Sequence, residues 1–155
     1  MKVLIADKFS EDHIERLRNA GHEVSLQPNL SKSDLPKTIA GFNVLLVRST
    51  RVTEETIGAA DKLNLIIRAG AGVNTIALEK AAEEGVFVCN TPGKNAVAVA
   101  ELAMGLIMAI DRNIPDQVRD LRKGKWKKKK YATTKGLAGR SVGIVGLGAI
   151  GLEVA

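Results

Sequence analysis

Gly146-Leu-Gly-Ala-Ile-Gly151 spaces three glycines as GxGxxG. In such a turn the first glycine permits the bend and the second lets backbone approach a diphosphate. The third lets the following helix pack against the preceding strand. Ser141–Val145 reads as that strand, and the residues after the turn read as the start of a helix whose free N–H groups attract anions. The chemistry indicated is dinucleotide binding; the alternative is a glycine turn in another kind of α/β protein. The acid that grips the ribose is expected about twenty residues past the turn, beyond Ala155, so NAD and NADP are not separated by these residues.

A second candidate is Arg68-Ala-Gly-Ala-Gly-Val-Asn74, which follows an apolar strand. Its glycines are expected to turn backbone amides toward an anion in a nest-like arrangement. Arg48 leaves the end of the neighbouring strand in the same direction. Two guanidinium groups beside free amides suit a carboxylate or a phosphate, which arginine binds in bidentate fashion. The competing reading pairs both arginines with surface acids at strand ends.

Other chemistries find little support. Cys89 is the one cysteine, which excludes an internal disulfide, fits a reducing compartment and is expected to be a small buried hydrophobe. His13 and His22 are expected to be solvated surface histidines. No metal-ligand spacing occurs, so no metal is expected. The stretch Ala96–Ile110 carries Glu101 and falls short of the ~20 residues of a membrane span, and the N-terminus lacks the features of a signal peptide. We expect a cytoplasmic protein with no membrane partner.

The net charge of +6 is concentrated in one place: Arg119–Lys130 holds eight basic residues against the single acid Asp120. A run of lysines is most simply a solvated face. A role at a subunit contact, with Trp126 as anchor, is the second reading. Nucleic-acid binding is the least favoured, because only Trp126 and Tyr131 are interleaved with the lysines.

These segments need a scaffold to position them. The composition, 45% apolar but only 3% aromatic, suits aliphatic α/β layers. Strands are expected at Lys2–Ala6, Glu23–Leu26, Val44–Val47, Leu65–Ile67 and Val86–Val88. Helices are expected at Ser10–Gly21, Ser31–Ala40, Thr53–Ala60 and Ile76–Glu84 between them. Near-continuous apolar strands alternating with helices predict a parallel sheet covered on both faces. Ligands in such sheets gather at the carboxyl ends of the strands, where Arg48-Ser49-Thr50, Arg68–Asn74 and Asn90–Asn95 fall. After Gly93 come a long helix at Asn95–Ile110, apolar nearly all round and so expected to be buried, and another at Ile114–Leu121. The fold class is thus expected to be α/β: a flavodoxin-like parallel sheet over residues 1–93, then the beginning of a Rossmann dinucleotide-binding domain over residues 94–155.

Val47-Arg-Ser-Thr-Arg-Val-Thr, Arg68-Ala-Gly-Ala-Gly-Val-Asn, Asn90-Thr-Pro-Gly-Lys-Asn, Val99-Ala-Glu, Lys123-Gly-Lys-Trp and Gly139-Arg-Ser-Val-Gly-Ile-Val-Gly-Leu-Gly occur in an order that resembles the D-2-hydroxyacid dehydrogenases along the whole chain. The resemblance implies that the first domain binds substrate and the second NAD as cofactor. The substrate implied is a 2-hydroxyacid, with 3-phosphoglycerate favoured over glyoxylate or lactate. It implies substrate contacts from Arg48, Ser49, Arg68, Gly70, Gly72 and Val73, with Asn95 at an interdomain hinge. Ala71 would lie by the nicotinamide, and Gly146, Gly148, Ala149, Ile150 and Gly151 would carry the diphosphate. The catalytic Arg, Glu and His of such enzymes belong to later sequence. We therefore expect an N-terminal fragment, inactive alone, from an enzyme that is a homodimer or homotetramer at full length. Two alternatives stand beside it: a catalytically silent dimerising or corepressor-like partner of the same fold, and a glyoxylate or hydroxypyruvate reductase. Ala149, Asn74 and Ala77 depart from residues common in the family: Ala149 removes an arginine, and the other two replace acids.

Overall fold

Short runs rich in β-branched residues and leucine set most of the strands, and polar or turn-forming residues follow them. The computed structural model describes residues 1–155. Its strands are β1 (Lys2–Ile5), β2 (Glu23–Leu26), β3 (Val44–Val47), β4 (Leu65–Arg68) and β5 (Phe87–Asn90). All pair in parallel, in the order β2-β1-β3-β4-β5. That is the flavodoxin-like doubly wound order. The helices are α1 (Glu11–Asn19), α2 (Leu35–Thr38), α3 (Glu54–Gly58), α4 (Leu78–Glu83), α5 (Ala96–Asp111), α6 (Ile114–Arg122), α7 (Lys128–Tyr131) and α8 (Ala149–Val154). None is long and apolar enough to cross a membrane.

Contacts divide the chain into Met1–Lys94 and Asn95–Ala155. In the first unit, alternation along the strands sends Leu4, Leu45, Val47 and Ile66 to one face, where Leu35, Ile39, Ile57 and Ala81 from α2, α3 and α4 cover them. Val3, Ile5 and Val44 face the other way, onto Ile14 of α1. Leu4, Leu45 and Ile66 are fully buried on the central strands, so truncating any of them to Ala costs about 3 kcal/mol.

Coverage of both faces, expected from the sequence, is incomplete. On the α1 side, Phe87 of the edge strand β5 is 75% exposed, and Cys89, two residues on, is exposed as well. Cys89 is therefore not the buried hydrophobe expected. A single helix serves that side of the sheet and packs over β1 and β3, leaving the edge strand bare. The helix expected over Ser31–Ala40 is shorter, because turns occupy its front and Pro36 sits in the first helical turn of α2. His22 also departs from expectation: it is half-buried where the α1–β2 turn closes, and its Nδ1 is buried without a partner.

The second unit is helical. Helix α5 packs against α6 and α8, but its burial is far from the expected all-round kind. Only Ala96 and Ala100 are buried, and Leu102, Leu106 and Ile110 are exposed. Three short helices cannot enclose a four-turn apolar cylinder. Residues 141–145 form no strand, contrary to expectation. A lone extended segment with no neighbouring strand leaves its N–H and C=O groups unpaired, and a strand exists only as a member of a ladder.

Candidate functional site

In the first unit the carboxyl ends of β1, β3, β4 and β5 bring four loops together. Asp7 ends β1, and its Oδ2 accepts the backbone N–H groups of Arg48 (2.7 Å), Ser49 (3.1 Å) and Thr50 (3.1 Å). Thr50 Oγ1 donates to the Ala6 carbonyl at 3.3 Å. Partial burial alone raises the Asp7 pKa, but the three backbone donors outweigh it and hold the carboxyl below its usual 3.8. Asp7 therefore fixes the turn that carries Arg48. The N–H of Ser49 is committed to it, which leaves the Ser49 hydroxyl as the group that residue can offer.

The loop after β4 is tied down from both sides. A parallel bridge joins Val52 to Ile76, through Val52 N–H to the Thr75 carbonyl (2.9 Å) and Ala77 N–H to the Val52 carbonyl (3.1 Å). Asn90 Nδ2 donates to the Ala71 carbonyl at 2.7 Å, and Thr91 N–H donates to the Gly70 carbonyl at 3.0 Å. The Gly70 N–H is spent on the Arg68 carbonyl at 2.9 Å. The N–H groups of Ala71, Gly72 and Val73 have no acceptor within the chain.

The loop is not the nest that its glycines suggested, because neither Gly70 nor Gly72 has a positive φ. Gly72 is needed for another reason. A Cβ there would lie 3.0 Å from Arg68 Nη1 and 3.2 Å from Asn74 Oδ1. The backbone passes directly over the Arg68 side chain, whose Nε donates to the Arg48 carbonyl (3.2 Å) and whose Nη1 donates to Asn74 Oδ1 (3.1 Å). None of the ion pairs in the chain includes Arg48 or Arg68. The reading in which these arginines neutralise surface acids fails. What stands at the strand ends is the uncompensated Arg68 guanidinium against a loop with three free amides, with Arg48, also free of ion pairs, on the neighbouring strand end, an arrangement suited to an acid ligand.

In the second unit Asn95 is the N-cap residue of α5, with no capping bond from its side chain. Gly146 adopts φ +97°, a value closed to L side chains without strain, and Gly148 is the extended N-cap of α8. A Cβ on Gly151 would overlap the Gly146 carbonyl oxygen. Ala149 and Ile150 open the helix and are exposed, as is the turn from Gly146 to Gly148. The backbone thus makes a tight turn at Gly146 and a close return at Gly151, with first-turn amides unsatisfied by the helix itself.

The lysine-rich segment is anchored at one point. Asp120 is buried; Tyr131 Oη donates to its Oδ2 at 2.7 Å and Lys127 Nζ lies 3.2 Å from the same oxygen. The Tyr131 bond, with help from Lys127, holds the Asp120 carboxyl below 3.8 against the opposing effect of desolvation. Trp126 is 76% exposed, and Lys128–Tyr131 form the short helix α7.

Sequence reasoning did not single out Asp7, Asn74 or Asn90 as site residues. Asp7 was visible as an acid ending a buried strand. Its partners lie 41 to 43 residues later, and only the β1–β3 pairing brings them together.

Residues 3–146 match the family described as D-isomer specific 2-hydroxyacid dehydrogenase, catalytic domain, and the chain belongs to that family. Among curated relatives it is 40% identical to D-3-phosphoglycerate dehydrogenase of Archaeoglobus fulgidus over 156 residues, covering 100% of this chain and 29% of the relative. It is 43% identical to D-3-phosphoglycerate dehydrogenase of Homo sapiens, covering 99% and 29%, and 41% identical to hydroxypyruvate reductase of Thermotoga maritima, covering 99% and 50%. The crystal structure of NAD-dependent formate dehydrogenase from Staphylococcus aureus in complex with NAD superposes with a TM-score of 0.86 at 26% identity, covering 100% of this chain and 52% of that one. The chain therefore spans less than a third of the phosphoglycerate dehydrogenases it matches and half of the reductase.

Proposed function

We propose that this chain is the acid-binding part of an NAD-dependent D-2-hydroxyacid dehydrogenase acting on 3-phosphoglycerate, in serine biosynthesis. The observation that carries the reading is the unneutralised Arg68 guanidinium against the loop with the free amides of Ala71, Gly72 and Val73, with Arg48, also free of ion pairs, at the neighbouring strand end. The three amides would hold the substrate carboxylate, and the Arg48 and Arg68 side chains would attract its charges. Ser49 would add a hydroxyl at the rim, and Asn95 would mark the hinge. Gly146, Gly148, Ala149, Ile150 and Gly151 would cradle the cofactor diphosphate, which the space kept clear at Gly151 fits. Ala71 would lie toward its nicotinamide end.

When bound, NAD supplies the acceptor for the hydride leaving C2 of the hydroxyacid. The hydroxyl proton goes to a general base, and the product is the 2-oxoacid. The residues of this chain bind and orient the acid, and Asp7, Asn74 and Asn90 hold the loops that do so. We assign the whole enzyme to a homo-oligomer in the cytoplasm.

A second reading, a reductase for hydroxypyruvate or glyoxylate, is favoured by the 41% identity to the Thermotoga maritima enzyme over the same residues. Calorimetric titration with D-3-phosphoglycerate, D-glycerate and glyoxylate separates them. Tightest binding of the phosphorylated acid supports the first reading. Equal or tighter binding of the unphosphorylated acids supports the second. Binding of none of them overturns both.

A further inference from the structure

The Arg68 guanidinium is held at two points, and both acceptors are uncharged. Nε donates to a backbone carbonyl and Nη1 to the side-chain oxygen of Asn74. Asp7, the carboxylate at the end of β1, spends its Oδ2 on three backbone N–H groups. Neither Arg68 nor Arg48 has an ion-pair partner. Gly72 allows the backbone of the Ala71–Val73 amides to run in contact with the Arg68–Asn74 bond.

Holding an arginine still normally falls to a carboxylate, which makes the stronger bond. It also cancels the charge. An amide fixes the guanidinium through a dipole and leaves its full positive charge beside the loop. We infer that Asn74 is a positioning residue that sets the charge of the anion site, fixing Arg68 over the Ala71–Val73 amides without neutralising it. This rests on the reading that the loop binds an acid. A carboxylate at position 74 keeps the geometry and loses the charge; a methyl group keeps the charge and loses the geometry.

That difference can be measured. Calorimetric titrations with D-3-phosphoglycerate, and separately with inorganic phosphate, are run on the protein and on Asn74→Asp, Asn74→Ala and Arg68→Ala at low and high ionic strength. Melting temperatures are recorded alongside. Asn74→Asp is expected to weaken binding roughly tenfold at low salt with an unchanged melting temperature, and the gap closes as salt screens the added charge. Asn74→Ala is expected to weaken binding by a factor that does not change with salt. An Asn74→Asp protein that binds as tightly as the unaltered one overturns the inference, as does a gap indifferent to salt. If Arg68→Ala abolishes binding while both Asn74 variants keep it, the role of Asn74 falls and the acid-binding reading stands. If the unaltered protein binds neither probe, both fall together.

Discussion

The Asp7 carboxylate lies 2.7 Å from the backbone nitrogen of Arg48, forty-one residues further along the chain. This contact, with its companions at Ser49 and Thr50, ties the end of β1 to the turn that carries Arg48. Asp7→Asn is expected to cost about 1 kcal/mol in urea denaturation at neutral pH, the scale of charge-assisted bonds weakened by partial exposure. The Asp7 pKa is lowered in the folded state. Its contribution is therefore complete above the unfolded value of 3.8 and is lost as pH falls through the lower folded value. The gap between the two proteins closes in acid; a gap that persists there places the effect elsewhere.

Asp120 offers a parallel case in the second unit. Tyr131→Phe removes the largest influence holding its carboxyl below 3.8. Carboxyl-carbon NMR is expected to show the Asp120 titration moving upward in the variant. Because the folded pKa is lowered, the stability it supplies is present above 3.8 and lost in acid, so the variant loses stability at neutral pH and little at low pH. An unmoved titration would mean that Lys127 alone sets the group.

Gly151→Ala puts a methyl group onto the Gly146 carbonyl oxygen. The turn must open, and NAD affinity measured by calorimetry is expected to fall at least roughly tenfold, with acid binding at the Ala71–Val73 loop unchanged. Retention of NAD affinity would show that the turn is not the cradle.

Much of this was legible in the residues. Val44–Val47 and Glu23–Leu26 were read with the boundaries observed, because each is a short β-prone run closed by a turn signal. The tight turn at Gly146 and the helix after it followed from the glycine spacing. Features that depend on what covers a residue were not legible. Cys89 and the outer face of α5 are apolar in pattern yet exposed, since pattern reports a preference for cover and not its presence. Ser141–Val145 has the composition of a strand and lacks a partner strand. The nest at Gly70 and Gly72 was inferred from glycine's freedom, whereas the space those glycines leave serves Arg68.

The central claim is that the free amides of Ala71, Gly72 and Val73, together with Arg68, take an acid. The most direct test is a titration of isotopically labelled protein with D-3-phosphoglycerate, followed through its backbone amide resonances. Those three amides are expected to shift downfield and saturate together, and Arg68→Ala is expected to abolish the response. Saturating shifts centred elsewhere, or shifts at the loop that survive the loss of Arg68, would contradict the account.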